Sequence, residues 1–472
     1  MQTLDPVALP SGHQYLPTTS TSPNQAILPL TAKVNSRDCL EIGGCDVTTL
    51  VKRFGSPLYI LDEATLRQAC RDYRDSFAKY YPGESLVIYA SKAWSCQAIC
   101  LVVASEGLGF DVVSGGEIYT TLTALNQSMG TIDLTKIYFH GNNKSPDELK
   151  LAINNKITII VDNWLELETI VAIAANEEQP VRIMLRITPG IECHTHDYIR
   201  TGHLDSKFGF DPNELESLFS YVSQQEKLNC IGLHAHIGSQ IFEQQPHQDL
   251  AGVLVEWMKK AEQVYGLAFT QLNLGGGLGI RYTEKDDPQS IEQWVKGVAQ
   301  AVVAACEKHN LPLPKLITEP GRSLIGNACV TAYTVGSRKV VPGIRTYIAV
   351  DGGMSDNPRP ITYQSLYRAV IANRMSAPLQ QKVTVAGKHC ESGDILIKDA
   401  LLSETKSGDI LVVMGTGAYN SSMASNYNRI GRPAAVIVNE GEANLILMRE
   451  TYSDLIRQDR LPERLLLQST NK

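Results

Sequence analysis

From about residue 57 the chain alternates between short apolar, β-branched runs and longer stretches with a helical period. The runs are Leu86–Ala90, Phe110–Ser114, Ile137–Gly141, Ile157–Asp162, Arg182–Ile187, Cys230–His236, Phe269–Gly276 and Lys315–Gly321. Between them lie amphipathic stretches such as Ser145–Asn155, Trp164–Asn176, Asp249–Tyr265 and Ile291–His309. Ser145-Pro146-Asp147-Glu148 reads as a helix start, with Ser as N-cap and Pro in the first helical position. Strands alternating with helices predict parallel pairing with both faces covered. A count of eight favours a closed (β/α)8 barrel, the TIM-barrel arrangement, over an open doubly wound sheet.

After about residue 325 the texture changes. Cys329–Tyr333, Thr346–Val350, Val383–Ala386, Asp394–Ile397, Ile410–Met414 and Ala434–Asn439 are separated by Gly, Pro, Asp and Ser, and predict a mostly β domain, a barrel or sandwich. The fold class is therefore α/β, in four segments. Residues 1–35, rich in Pro, Ser and Thr, are expected to form a flexible extension. Residues 36–56, where Cys39–Leu50 looks strand-like, are expected to join the β domain. The barrel is expected over 57–325 and the C-terminal β domain over 326–472.

Composition narrows the function. Among 472 residues, 43% are apolar and 20% charged, which is an ordinary globular balance. The net charge of -7 gives no basic footprint for nucleic acid and no polybasic membrane patch. No apolar stretch reaches the length of a membrane span. The ten cysteines follow no pairing rhythm and include no C-x-x-C. Cys96 and Cys100 read as two helix-core thiols. Reduced thiols, with no signal-like start and no Arg before Arg37, point to a cytoplasmic protein.

The polar residues sit where the strands end: Lys92, Asp111, His140, Asp162, Arg186, His236, Gly275–Gly277 and Glu319. Ionisable groups gathered at the C-terminal ends of barrel strands are what a barrel active site requires. Lys92, in Tyr89-Ala90-Ser91-Lys92-Ala93, is expected to project into the barrel mouth, where partial burial and neighbours lower its pKa and leave a free amine for an aldehyde. Taken alone, this segment reads better as a solvated loop lysine. Gly275-Gly276-Gly277 ends strand seven, where a backbone free of Cβ atoms can close on a phosphate; a plain tight turn explains it as well. Glu319-Pro320-Gly321-Arg322 ends strand eight. A carboxylate there could keep a pyridine nitrogen protonated, and Arg322 could bridge to phosphate or carboxylate. His234 and His236 share one strand face. With no third ligand at suitable spacing, His194 and His196 included, no metal site is expected, and His236 suits stacking on a flat ring.

Together these segments resemble the fold type III pyridoxal-phosphate family of diaminopimelate, ornithine and arginine decarboxylases. The resemblance spans nearly all of residues 40–460, and matches the diaminopimelate branch through Tyr89–Ala93, Asp111–Glu117, His140–Ser145, Leu185–Gly190, His194–Gly209, His234–Gln240, Gly275–Gly277, Glu319–Arg322, Asp351–Pro360, Cys390–Asp394 and Gly415–Tyr419. It implies that Lys92 carries pyridoxal 5'-phosphate, His236 stacks on its ring and Glu319 pairs with its nitrogen. It implies that Gly275, Gly276, Gly277, the Glu319-Pro320-Gly321-Arg322 backbone and Ser239 lie at the phosphate. Arg322, Arg359 and Tyr363 are implied to bind substrate, and Tyr419 to touch both cofactor and substrate. Cys390 is implied as the proton donor and Glu391 as a substrate ligand, both from the second subunit of a homodimer with active sites at its interface.

The reaction so implied turns meso-2,6-diaminopimelate into L-lysine and carbon dioxide, the last step of lysine biosynthesis. Related decarboxylases acting on arginine, ornithine or carboxynorspermidine are the alternative. Arginine and ornithine have no distal carboxylate to occupy Arg359 beside Tyr363. A racemase would want a second base on the opposite ring face. A non-catalytic pyridoxal-phosphate-binding protein needs neither the second domain nor Lys92 with Cys390.

Overall fold

The computed structural model describes residues 10–127, 133–191 and 206–466. Eight parallel strands close into a barrel, in chain order Ser85–Ala90, Gly109–Val112, Ile137–Phe139, Thr158–Val161, Val181–Arg186, Leu228–His234, Gln271–Asn273 and Lys315–Thr318. The eighth pairs with the first, Leu316 opposite Ser85, which completes the ring. Each strand coincides with one predicted run. Leu86, Ile88, Tyr138, Ile160, Met184, Ile231 and Ile317 form a separate small apolar cluster. Side chains of the opposite strand parity, such as Val87, Tyr89, Phe110 and Leu185, join the larger cluster with the surrounding helices. Two-sided burial explains why these strands read as continuous apolar runs.

The helices form where the periodicity placed them. Pro146–Asn154 starts with a capping box: the Glu148 backbone N–H donates to Ser145 Oγ at 3.3 Å, while the Ser145 N–H donates to the Glu148 carboxylate at 3.0 Å. Trp164–Ala174, Gln245–Tyr265 and Ile291–His309 occupy the other predicted stretches. Cys96 and Cys100 are both buried at the start of Gln97–Ser105, and burial pushes the Cys100 thiol up to about 12.

Three expectations about the periphery change. Leu58–Asp62, expected inside the barrel segment, lies in the β domain. It pairs antiparallel with Cys329–Val341 and parallel with Ala434–Asn439 in a nine-stranded sheet. Cys39–Leu50 is not one strand. Gly43 and Gly44, at φ of 58° and 79°, turn the chain between Leu40–Ile42 and Cys45–Asp46. Asp46 then caps the helix Val47–Phe54 by accepting from the Thr49 N–H. This segment joins the β domain through its core, where Leu40, Ile42 and Val47 pack with Val330, Val412 and Val436. The extension expected to be flexible is packed from Pro10 onward. Leu28 is fully buried, and Asn24 donates from Nδ2 to the carbonyls of Gly279 and Gln289. No described helix is long and apolar enough to cross a membrane.

Candidate active site

A cavity of about 620 Å3, within the range of small-molecule sites, opens at the C-terminal ends of the barrel strands. Lys92, His236, Ser239, Glu319 and Arg322 line it from the barrel, and Arg359, Tyr363 and Tyr419 from the second domain. Residues far apart in sequence therefore meet because the barrel brings its strand ends to one rim.

Lys92 follows the first strand in a short turn, Ser91–Ala93. Its side chain is 43% accessible because it opens into the cavity, and its ammonium lies 3.8 Å from Asp111 Oδ2 at the end of strand two. The expected depression of its pKa does not occur in this arrangement. Burial works against the charge, but Asp111, Tyr419 and Glu319 outweigh it and hold the group above its usual value. Asp111 is fully buried, and desolvation pushes it up despite His140 and Lys92. Neither of its carboxylate oxygens has a hydrogen-bond partner among the described residues.

Glu319 is held by neighbours from three strand ends. Asn273 Nδ2 donates to its Oε1 at 2.6 Å, His140 Nε2 lies 2.9 Å from the same oxygen, and His234 Nε2 lies 3.3 Å from Oε2. Burial would raise its pKa, but these neighbours hold it well below the usual carboxylate value. His234 stays neutral near pH 7, since burial pulls it down to about 4. His140, His234 and Glu319 are close enough to ligate a cation, but their contacts are those of a carboxylate fixed in its ionised form. His194 and His196 fall outside the described residues.

The glycine run stitches strands six, seven and eight together. A Cβ on Gly276 would stand 2.3 Å from the Glu319 carbonyl oxygen, and one on Gly275 only 2.7 Å from His236 Nδ1. The Gly276 N–H donates to His236 Nδ1 at 3.2 Å, which fixes the ring, and burial keeps that imidazole neutral. Pro320 accepts from the Ala90 N–H at 3.1 Å, and Gly321 passes so close to Ala90 that a Cβ would be 3.0 Å from Ala90 Cβ. Ser239 Oγ accepts from Arg322 Nε and Nη2 at 3.1 and 3.0 Å. Tyr419, in the left-handed region at φ 62°, is tied by its N–H to the Ala93 carbonyl and lies under Arg322, 4.9 Å from Cζ to ring centre.

Cys390 and Glu391 do not line this cavity. They occupy an exposed loop between Gln381–Ala386 and Ile395–Leu402, where the Cys390 N–H donates to Asn428 Oδ1 at 2.9 Å. Of the nine described cysteines, Cys390 alone is exposed. Three contributors escaped the sequence reading. Asn273 is a polar residue inside the apolar run Leu272–Leu274, a signal that was available. Tyr282 carried none, because its partners Arg322 and Arg359 are distant in sequence, and nothing in the sequence marks Tyr367, eight residues beyond Arg359, as its hydrogen-bond partner.

Residues 63–326 match the pyridoxal-binding domain of the pyridoxal-dependent decarboxylases. The chain is 67% identical over 450 residues to a diaminopimelate decarboxylase of Synechocystis, covering 95% of this chain and 96% of the relative. It is 45% identical over 432 residues to that of Bacillus subtilis, covering 91% and 97%. The crystal structure of the M. jannaschii diaminopimelate decarboxylase in complex with L-lysine superposes with a TM-score of 0.85 at 31% identity, covering 94% of this chain and all of that one. The chain belongs to the pyridoxal-dependent decarboxylases, alongside the diaminopimelate decarboxylases.

Proposed function

We propose that this chain, working from that family's cofactor chemistry, decarboxylates meso-2,6-diaminopimelate to L-lysine and carbon dioxide. Pyridoxal 5'-phosphate, when bound, supplies an electron sink for the pair left on carbon as carbon dioxide departs. The residues present fit it. Lys92 offers an amine for its aldehyde, Glu319 a carboxylate already ionised for its ring nitrogen, and His236 a neutral ring held by Gly276 for stacking. Ser239, Gly275–Gly277 and the Glu319–Arg322 backbone are the residues we assign to its phosphate; of these, Ser239, Glu319 and Arg322 line the cavity.

Lys92 Nζ must shed a proton before it can bond to an aldehyde. Asp111, 3.8 Å away, is the described carboxylate within ion-pair distance of that ammonium. After carbon dioxide leaves, a proton must return to carbon. Cys390 is the assigned donor, reaching the cavity from a partner subunit together with Glu391, which holds the distal ammonium. The reading includes a cytoplasmic homodimer; the free described cysteines are consistent with a reducing compartment.

The observation that carries the substrate assignment is the pair of buried guanidiniums, Arg322 and Arg359, facing the cavity that Lys92 enters. No carboxylate among the described residues lies within ion-pair distance of either. Two buried cations without an anion suit a ligand that brings its own, and diaminopimelate carries a second carboxylate that arginine and ornithine lack. The test is carbon dioxide release by purified protein with pyridoxal 5'-phosphate and each of diaminopimelate, arginine and ornithine. Release from diaminopimelate alone is expected; equal release from arginine or ornithine overturns the assignment. Lys92→Ala is expected to abolish both the cofactor's visible absorbance band and turnover; an intact band reducible onto another lysine excludes Lys92 as carrier.

A further inference from the structure

We propose that Tyr282 is a specificity-positioning residue, whose phenol oxygen sets how Arg322 and Arg359 present themselves to the substrate's distal carboxylate. The inference rests on the assignment of these arginines to that carboxylate.

Tyr282 lies beyond the glycine loop of strand seven and lines the cavity. Its oxygen accepts from Arg322 Nη1 and from Arg359 Nη1, each at 2.7 Å. A phenol oxygen offers two acceptor positions, and here one goes to each guanidinium. Arg359 Nη1 is also 2.9 Å from the Tyr367 hydroxyl, and Tyr282 and Tyr367 meet edge to face with ring centres 5.4 Å apart. Burial would raise the Tyr282 pKa, but the two cations bring it below its usual value, as expected of an oxygen accepting from both.

The bonds used and unused define a geometry. Arg322 spends Nε and Nη2 on Ser239 and Nη1 on Tyr282. Arg359 spends only Nη1, on the two tyrosines; its Nε and Nη2 have no bond to a described residue. That edge is the one that grips a carboxylate side-on through two parallel bonds. Tyr282 thus performs two tasks. It supplies oxygen between like charges that would otherwise repel, and it fixes Arg359 by the wrong edge for itself and the right edge for the substrate. A guanidinium without that anchor would spread over several rotamers, and ordering it again would cost binding energy.

Tyr282→Phe removes the oxygen and keeps the ring. Decarboxylation takes the carboxylate from the reacting end, so product lysine retains the distal head group and should report the same site. Tyr282→Phe is expected to raise the KM for diaminopimelate and the inhibition constant for L-lysine together, by roughly ten-fold, the scale of one charged hydrogen bond. The loss should fall on KM and not on kcat. Inhibition by cadaverine, a diamine with no carboxylate, and the affinity for pyridoxal 5'-phosphate should not move. An unchanged KM overturns the proposal, and so does a parallel loss for cadaverine and cofactor, which would mark Tyr282 as merely structural. Arg359→Ala is measured beside it. If that variant also leaves KM unchanged, the carboxylate assignment itself falls; if it raises KM while Tyr282→Phe does not, only the role of Tyr282 is lost.

Discussion

A carboxylate left alone in an apolar interior takes up a proton, because desolvation penalises its charge. Glu319 avoids this through Asn273 at 2.6 Å, His140 at 2.9 Å and His234 at 3.3 Å, contributed by strands seven, three and six. Glu319→Gln retains the shape and removes the charge. It is expected to leave pyridoxal 5'-phosphate bound, seen in the absorbance spectrum, while kcat falls by about two orders of magnitude or more, the scale of removing a preorganised electrostatic partner. A near-normal kcat would show that the ring nitrogen has another partner. Glu319 and Lys92 were legible in the sequence because each interrupts the pattern at a strand end. Asp111's effect on Lys92 was not, because the sign of that shift depends on a 3.8 Å distance across two strands. Sequence position shows that a lysine enters the mouth; only the fold shows which charge it meets.

At the scale of elements, the eight barrel strands were readable because both of their faces are buried and each is followed by a helix. Leu58–Asp62 stood apart from the eight runs and was misplaced only by the barrel boundary at residue 57; its partners Cys329–Val341 and Ala434–Asn439 put it in the β domain. Cys39–Leu50 misled because an apolar pattern ran on through the cap at Asp46. The glycine run had two readings, and the structure adds a third requirement, close passage of strands. Gly276→Ala would put a methyl group 2.3 Å from the Glu319 carbonyl oxygen, a backbone atom that cannot rotate away. We expect a destabilisation of about 1–3 kcal/mol, as for overpacked cores. Cofactor content should fall as well, because the shifted backbone carries both the His236 anchor and Glu319. Thermal melting and absorbance on the same sample check this; wild-type values for both would show that strands seven and eight separate without cost.

The whole molecule places Lys92 inside a cavity and Cys390 outside it, on the exposed loop of another domain. Around the cavity mouth and that loop, Ile361, Leu366 and Tyr427 are 41%, 66% and 41% exposed. Apolar side chains left in water around that cavity are features a second copy would cover, and in the proposed homodimer a two-fold axis would carry each Cys390 to the other subunit's cavity. Lys92→Ala and Cys390→Ala should each be nearly inactive alone. When equal amounts are mixed and allowed to exchange subunits, half of the dimers are mixed. Each mixed dimer has one site with both residues intact and one with neither, so activity should recover to about a quarter of wild type. Subunit exchange is followed independently, with one variant carrying a label. No recovery despite confirmed exchange would place Lys92 and Cys390 in the same subunit's site. The loop would then have to fold inward by rearrangement of its own chain, breaking the Cys390–Asn428 bond that now holds it at the surface.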